Sequence, residues 1–235
     1  MNYKDAPNVI VENFFTDDQI KRLYDIVENT TYTTFQQYLS YISWHIQLPQ
    51  DIIDEVTKTA ESIVGEGLVL SEYNFSRYQK IKMSEDILEK NLILAEYDVL
   101  KDQSTVSNDK KILFNPLLYP HIDEAFTGKR FTVDVQLKSN VSWDIVVDNW
   151  KSEQLFNLKD NQALTFSGTH QVHWRPKKNF KDEEFLEALF LHFVPKYDNF
   201  KSEEEKKEIL SRRDYKYDMW DLTPGNSENP MKVLN

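Results

Sequence analysis

The sequence predicts a mainly β domain of barrel or sandwich type, with helices flanking it on the N-terminal side (α+β). Three observations lead there. Phe131, Val133, Val135 and Leu137 alternate with Thr132, Asp134, Gln136 and Lys138, the period of a half-buried strand. Other short runs of β-branched and aromatic residues recur between turn signals such as Ser139-Asn140 and Asp160-Asn161. The helical periodicities come first and most strands follow, without the strand–helix alternation of a parallel open sheet.

Taken in order, Val9-Ile10-Val11 reads as a short strand leading into a helix. Thr16 opens that helix with Gln19 three residues on, a capping box, and Ile20, Leu23, Tyr24 and Val27 recur at helical spacing. A second helix follows Pro49, where Ile52, Ile53, Val56, Ala60, Ile63 and Val64 share one face and Gly65 supplies the stop. Leu68 to Leu70 and Tyr73 to Tyr78 then read as strand. The apolar pieces Leu92 to Leu94 and Val99-Leu100 precede a polar stretch, residues 101 to 111, which composition reads as a loop, either a lid or an insertion. After the strand at 131–137 come strands at 143–147, 162–166 and 189–194. Ser202 and Glu205 form another capping box, followed by the helical charge pairs Glu203/Lys207 and Glu208/Arg212. The expected organisation is one domain over residues 1–200, with a C-terminal helix and tail over 201–235.

Composition removes several function classes. With 235 residues and 40% hydrophobic content the chain is long enough to bury a core. It has no cysteine, which excludes disulfides, thiolate metal sites and cysteine nucleophiles. Its five glycines spell neither GxGxxG nor GxxxxGK, the usual phosphate cradles. A net charge of −11 disfavours nucleic acid as a partner. No run is long enough for a membrane-spanning helix, and the N-terminus lacks the basic-then-apolar pattern of an export signal, so a cytoplasmic location is expected.

The chemistry-bearing residues are histidines: His45, His121, His170, His173 and His192. In His121-Ile122-Asp123 the imidazole and carboxylate stand two residues apart, and in extended chain they point to one side. Such triplets are common by chance. A third ligand offered by His170 or His173, beyond several strands, makes the set informative. Two histidines and a carboxylate leave positions open on a metal, the arrangement of non-haem Fe(II) oxygenases.

On these residues the chain resembles the 2-oxoglutarate/Fe(II)-dependent dioxygenases, prolyl-hydroxylase-like enzymes of the double-stranded β-helix (jelly-roll) fold. The resemblance is carried by Leu118-Tyr119-Pro120-His121-Ile122-Asp123, the strand Phe131 to Leu137, and Trp143 to Val147. It continues through Leu158 to Phe166, Gly168, His173-Trp174-Arg175-Pro176 and Leu189 to Val194. Phe14 to Asp18 and Phe75 to Tyr78 fit the supporting elements, so most of residues 8 to 195 is covered.

The resemblance implies His121, Asp123 and His173 as ligands of Fe(II), because the family places a glycine, here Gly168, five residues before the distal histidine. His170 then becomes a polar neighbour or surface residue. It implies 2-oxoglutarate as cosubstrate, with Arg175 gripping the far carboxylate. Lys138 and Arg77 are substitutes for that clamp, and Tyr78 or Tyr73 hydroxyl partners. Here the sequence departs from many relatives, whose basic residue lies one strand later; Leu189 to Val194 holds only His192. Trp174 and Trp143 are expected in the core, and Tyr119 near the substrate mouth.

The implied activity is O2-dependent hydroxylation of an amino-acid-like small molecule or a protein side chain. Two other readings stay open: a cupin-like metalloenzyme that does not use 2-oxoglutarate, and a non-catalytic jelly-roll binding module.

Overall fold

Two antiparallel sheets facing one another, with a helical layer on each outer side, position the candidate site. The computed structural model describes residues 2–30, 33–35, 40–43, 46–84, 104–106, 111–116, 118–123, 128–197 and 202–219. The strands are β1 (Ile10–Val11), β2 (Thr33–Phe35), β3 (Ser40–Ser43), β4 (Leu68–Gln79), β5 (Ile81–Ser84), β6 (Ser104–Val106) and β7 (Lys111–Phe114). They continue with β8 (Leu118–His121), β9 (Phe131–Ser139), β10 (Ile145–Asp148), β11 (Glu153–Phe156), β12 (Gln162–Phe166), β13 (Val172–Arg175) and β14 (Phe185–Pro195). The helices are α1 (Asp17–Glu28), α2 (Gln50–Val64) and α3 (Glu203–Met219).

The larger sheet runs β1-β12-β9-β14-β4-β3-β2, the smaller β11-β10-β13-β8, and β5-β7-β6 form a third. This is the jelly-roll architecture expected from the sequence.

The two N-terminal helices form where their caps and apolar faces place them. Thr16 accepts from the backbone N–H of Gln19 while the Gln19 side chain returns to the backbone of Thr16, closing both halves of the capping box. Gly65 ends α2 in the left-handed region at φ 75°, where a glycine is least strained. Leu23 and Val27 of α1 and Ile52, Val56 and Ala60 of α2 pack on Phe131, Val133, Val135, Leu137, Leu189 and Leu191, the outer face of the larger sheet.

On the far side, Ile209 of α3 packs with Val146, Val172 and Trp174, the outer face of the smaller sheet. The Ser202/Glu205 capping box forms; Glu203 pairs within the helix with Lys206 and not with the expected Lys207, while other charges of α3 reach tertiary partners. Arg212 donates to both oxygens of Asp148 at 2.7 and 2.8 Å, Glu208 pairs with Lys4, and Glu205 meets His170. Asp148, fully buried on β10, draws Arg212 away from the helical pair.

Several strand boundaries differ from the sequence reading. Leu68 to Leu70 and Tyr73 to Tyr78 are one strand, β4, paired along its length with β14, which also begins earlier, at Phe185. Long mutual pairing carries both through residues that look like breaks. Within the stretch read as a loop, Ser104–Val106 and Lys111 are strand, since β6 and β5 both pair with β7. The rest of that stretch, Leu92 to Leu100 and His45 lie outside the described residues.

Candidate metal centre and the barrel interior

The facing surfaces of the two sheets enclose side chains of both kinds. Ile145 and Val147 of the smaller sheet pack on Leu164 and Phe166 of the larger, and Tyr78, Leu118, Trp143, Leu186 and Ala188 form a second apolar patch. Between these lie buried polar groups, among them Thr132, Asp134, His121, His173, Arg175 and His192.

His121 closes β8 and His173 lies directly opposite it on β13, so strand pairing alone brings the two imidazoles together, with centroids 4.2 Å apart. Asp123 follows two residues after His121, and its backbone N–H donates to the Gly168 carbonyl at 2.7 Å. That bond ties the end of β8 to the turn before β13. Candidate ligand atoms of His121, Asp123 and His173 all lie within 4.8 Å of one another. Nε2 of His173 is 3.5 Å and Nε2 of His121 3.9 Å from Asp123 Oδ1.

The orientation of each ring is set by its other nitrogen. Nδ1 of His121 bonds the Tyr119 carbonyl at 2.8 Å, and Nδ1 of His173 bonds the Gln171 carbonyl at 3.0 Å. A carbonyl only accepts, so both Nδ1 atoms carry the proton, and Nε2 is the nitrogen of each ring able to ligate a metal. Burial and the adjacent His173 pull His121 down to about 3, keeping its ring neutral. Burial pushes Asp123 up, but the charges of His192 and His173 outweigh it and hold the carboxyl well below the usual range. A neutral His121 ring and an ionised Asp123 carboxylate are protonation states that suit a divalent metal.

The other Asp123 oxygen is occupied. Thr132 donates to Oδ2 at 2.6 Å and lies 3.1 Å from Nδ1 of His192, which is itself 3.4 Å from Oδ2. The triad's carboxylate is thus turned so that Oδ1 faces the histidines. Thr132→Val keeps the shape and removes the donor. It is expected to weaken divalent metal binding roughly 10- to 100-fold with the fold retained, measured by metal titration. Unchanged affinity would mean that the backbone alone orients Asp123.

Arg175 shares the inward face with His173 and is fully buried. Its Nη1 donates to the Trp143 carbonyl at 2.5 Å and its Nη2 to Asp134 Oδ2 at 3.2 Å, while the guanidinium lies 5.4 Å from the Trp143 ring centre. Nε of Arg175 and Oδ1 of Asp134 are buried without a hydrogen-bond partner. Tyr78 is buried edge-on against Trp143 at 5.2 Å, and burial raises its hydroxyl above the ordinary value.

The other clamp candidates point elsewhere. Lys138 is exposed and lies 5.8 Å from the centre of the Tyr24 ring on α1. Arg77 pairs with Glu187 at 3.1 Å, and Tyr73 packs with the helical layer. Strand alternation turns Arg77 and Tyr73 away from the barrel, and the irregular pairing of β9 with β14 between Gln136 and Lys138 turns Lys138 out as well. His170 also faces out, but it is not on the surface: it is fully buried beneath α3, with Nε2 3.0 Å from Glu205. Trp174 and Trp143 are core residues as expected, and Tyr119 is buried beside His121.

Thr132 and Asp134 were not singled out by the sequence reading, because alternating polar residues on a strand normally face water. The available signal was their character. Thr132, Asp134 and Gln136 are short or neutral groups, and the long charged side chain appears only at Lys138, where the strand emerges.

No family model and no curated protein matches the sequence. Solved structures do match, and their fold is that of 2-oxoglutarate/Fe(II) oxygenases. The non-heme alpha ketoglutarate dependent epimerase SnoN from nogalamycin biosynthesis is 11% identical with a TM-score of 0.55, covering 82% of this chain and 80% of its own. An oxidoreductase of the 2OG-Fe(II) oxygenase family from Burkholderia pseudomallei is 11% identical with a TM-score of 0.50, covering 83% and 88%. HygX from Streptomyces hygroscopicus, solved with nickel, 2-oxoglutarate and hygromycin B, is 8% identical with a TM-score of 0.50, covering 85% and 87%. Among the described residues no helix is long and apolar enough to cross a membrane.

Proposed function

We propose that this chain is an Fe(II)- and 2-oxoglutarate-dependent oxygenase that hydroxylates an amino-acid-like small molecule or a protein side chain. The observation that carries the reading is the triad of two buried histidines with both Nε2 atoms facing one oxygen of the part-buried Asp123 carboxylate. The residues fit a divalent metal: the donors are two imidazoles and one carboxylate, and the turn beside them is cleared to its limit. A Cβ on Gly168 would stand 2.0 Å from Asp123 Oδ2.

His121 Nε2, Asp123 Oδ1 and His173 Nε2 would hold the iron, leaving positions on one side for reactants. Bound there, iron supplies the oxidative decarboxylation of 2-oxoglutarate and the transfer of one oxygen atom from O2 to a C–H bond. The chain's own part is positional. Among the described residues Arg175 is the cation inside the barrel available for the far carboxylate, with a planar fork suited to it. Ile145, Val147, Leu164, Phe166 and Tyr78 exclude water around the reacting groups.

Mixing metal-free protein with Fe(II) and 2-oxoglutarate without oxygen is expected to give the weak visible charge-transfer band of a chelated keto acid, absent in His173→Ala. Metal binding without that band would favour the cupin-like alternative. No metal binding would leave the non-catalytic binding module.

A further inference from the structure

Arg175 does not face an incoming dianion as an unopposed cation. Asp134 lies beside it, both side chains fully buried, and the pair leaves one donor, Arg175 Nε, and one acceptor, Asp134 Oδ1, without a hydrogen-bond partner. A doubly positive metal ion, Asp123 and Arg175 would together balance a dianionic keto acid. Asp134 adds one further negative charge in a site where unpaired charge is costly.

The groups around Asp134 limit what compensates it. Arg175 of β13 contacts it, and His173 of β13, Tyr78 of β4 and Asp123 act on it electrostatically. Its lateral neighbours Leu164 and Phe190 carry no charge. His192, farther along the barrel, faces Asp123 and Thr132. Burial holds Asp134 above the ordinary carboxyl value against the pull of Arg175.

We propose that Asp134 is a specificity-determining residue: with Arg175 it receives the far end of the keto acid as a neutral group offering both donor and acceptor. For 2-oxoglutarate this means that one proton is taken from solvent and shared between its far carboxyl and Asp134. A keto acid ending in a carboxamide meets the same pair with no proton. The inference rests on the 2-oxoglutarate reading above and adds to it the form in which the tail is bound.

The test uses full-length protein loaded with Fe(II) under anaerobic conditions, titrated calorimetrically with 2-oxoglutarate and with its 5-carboxamide analogue. Each titration is run in two buffers of different ionisation heat across pH 6 to 9. Wild-type protein is expected to take up close to one proton with 2-oxoglutarate, its affinity falling about tenfold per pH unit on the alkaline side. The carboxamide should bind with no uptake and a flat pH profile. Asp134→Asn should bind 2-oxoglutarate more tightly at high pH and without uptake. Should that variant not fold, the contrast between acid and amide in the wild type decides alone.

Binding of 2-oxoglutarate without proton uptake would overturn the inference and leave the oxygenase reading intact. So would uptake that persists in Asp134→Asn, since His192 would then be the acceptor. If neither keto acid binds protein that holds metal, the 2-oxoglutarate reading fails and this inference with it.

Discussion

Gly168→Ala is expected to abolish the metal site while leaving most of the fold in place. The added Cβ would stand 2.0 Å from Asp123 Oδ2, 2.3 Å from Thr132 Oγ1 and 2.8 Å from Asp123 Cγ. None of these distances is tolerable, and Thr132 cannot retreat along a strand paired on both sides with β12 and β14. The Asp123 carboxylate is the group that must move. It lies beyond the end of β8 and is held there by its backbone bond to Gly168. Its displacement removes one of the three proposed ligands outright, so divalent metal affinity should fall on the order of 100-fold or more, beyond the usual effect of an outer-sphere change. The accompanying strain is worth about 1–3 kcal/mol of stability. Metal titration with circular dichroism separates the two effects. Near-native affinity would show that the turn at Gly168 relaxes freely and that Asp123 is not placed by it.

Arg175→Ala should be the most destabilising single change in the barrel interior. It leaves Asp134 fully buried with its charge uncompensated, a situation that costs roughly 3–5 kcal/mol. At about 2–4 °C per kcal/mol for a chain of this size, Tm should fall by roughly 6–20 °C. The double change Arg175→Met with Asp134→Leu removes both charges together and should recover most of that loss. It should not recover keto acid binding, which keeps the structural role of Arg175 apart from the proposed binding role.

The single variant carries a pH signature of definite sign. Asp134 already titrates above the ordinary carboxyl value because of burial, and losing Arg175 raises it further. Between the unfolded and folded values the folded state holds more protons, so stability falls as pH rises. The gap in Tm between wild type and Arg175→Ala should therefore be wider at pH 8 than at pH 5. A gap independent of pH would mean that water reaches Asp134 and solvates it.

Much of this architecture was legible in the chain. The capping box at Thr16 and Gln19, the apolar face of the helix after Pro49 and the alternation at 131–137 each depend on local periodicity or local hydrogen bonding, and each forms as read. The ligand pair at 121 and 123 was legible for the same reason, since a two-residue spacing in extended chain fixes direction. Docking of the C-terminal helix was not. Its side chains give it no amphipathic stripe, and what holds it is one apolar anchor, Ile209, with the partners Asp148, His170 and Lys4, all distant in sequence.

Alternation along a strand defines two faces but does not say which of them meets water. Here α1 and α2 cover the apolar face of β9, and the second sheet covers the polar one, so residues that resemble a solvated surface become the lining of the barrel. The sequence by itself determined the antiparallel scaffold, its helical brace and the presence of a histidine–carboxylate pair. Only the tertiary structure decided that His173 faces Asp123 while His170 turns to α3, and that Thr132 and Asp134 stand inside. The register between distant strands makes those choices, and a register is a property of the assembled sheet, not of any segment within it.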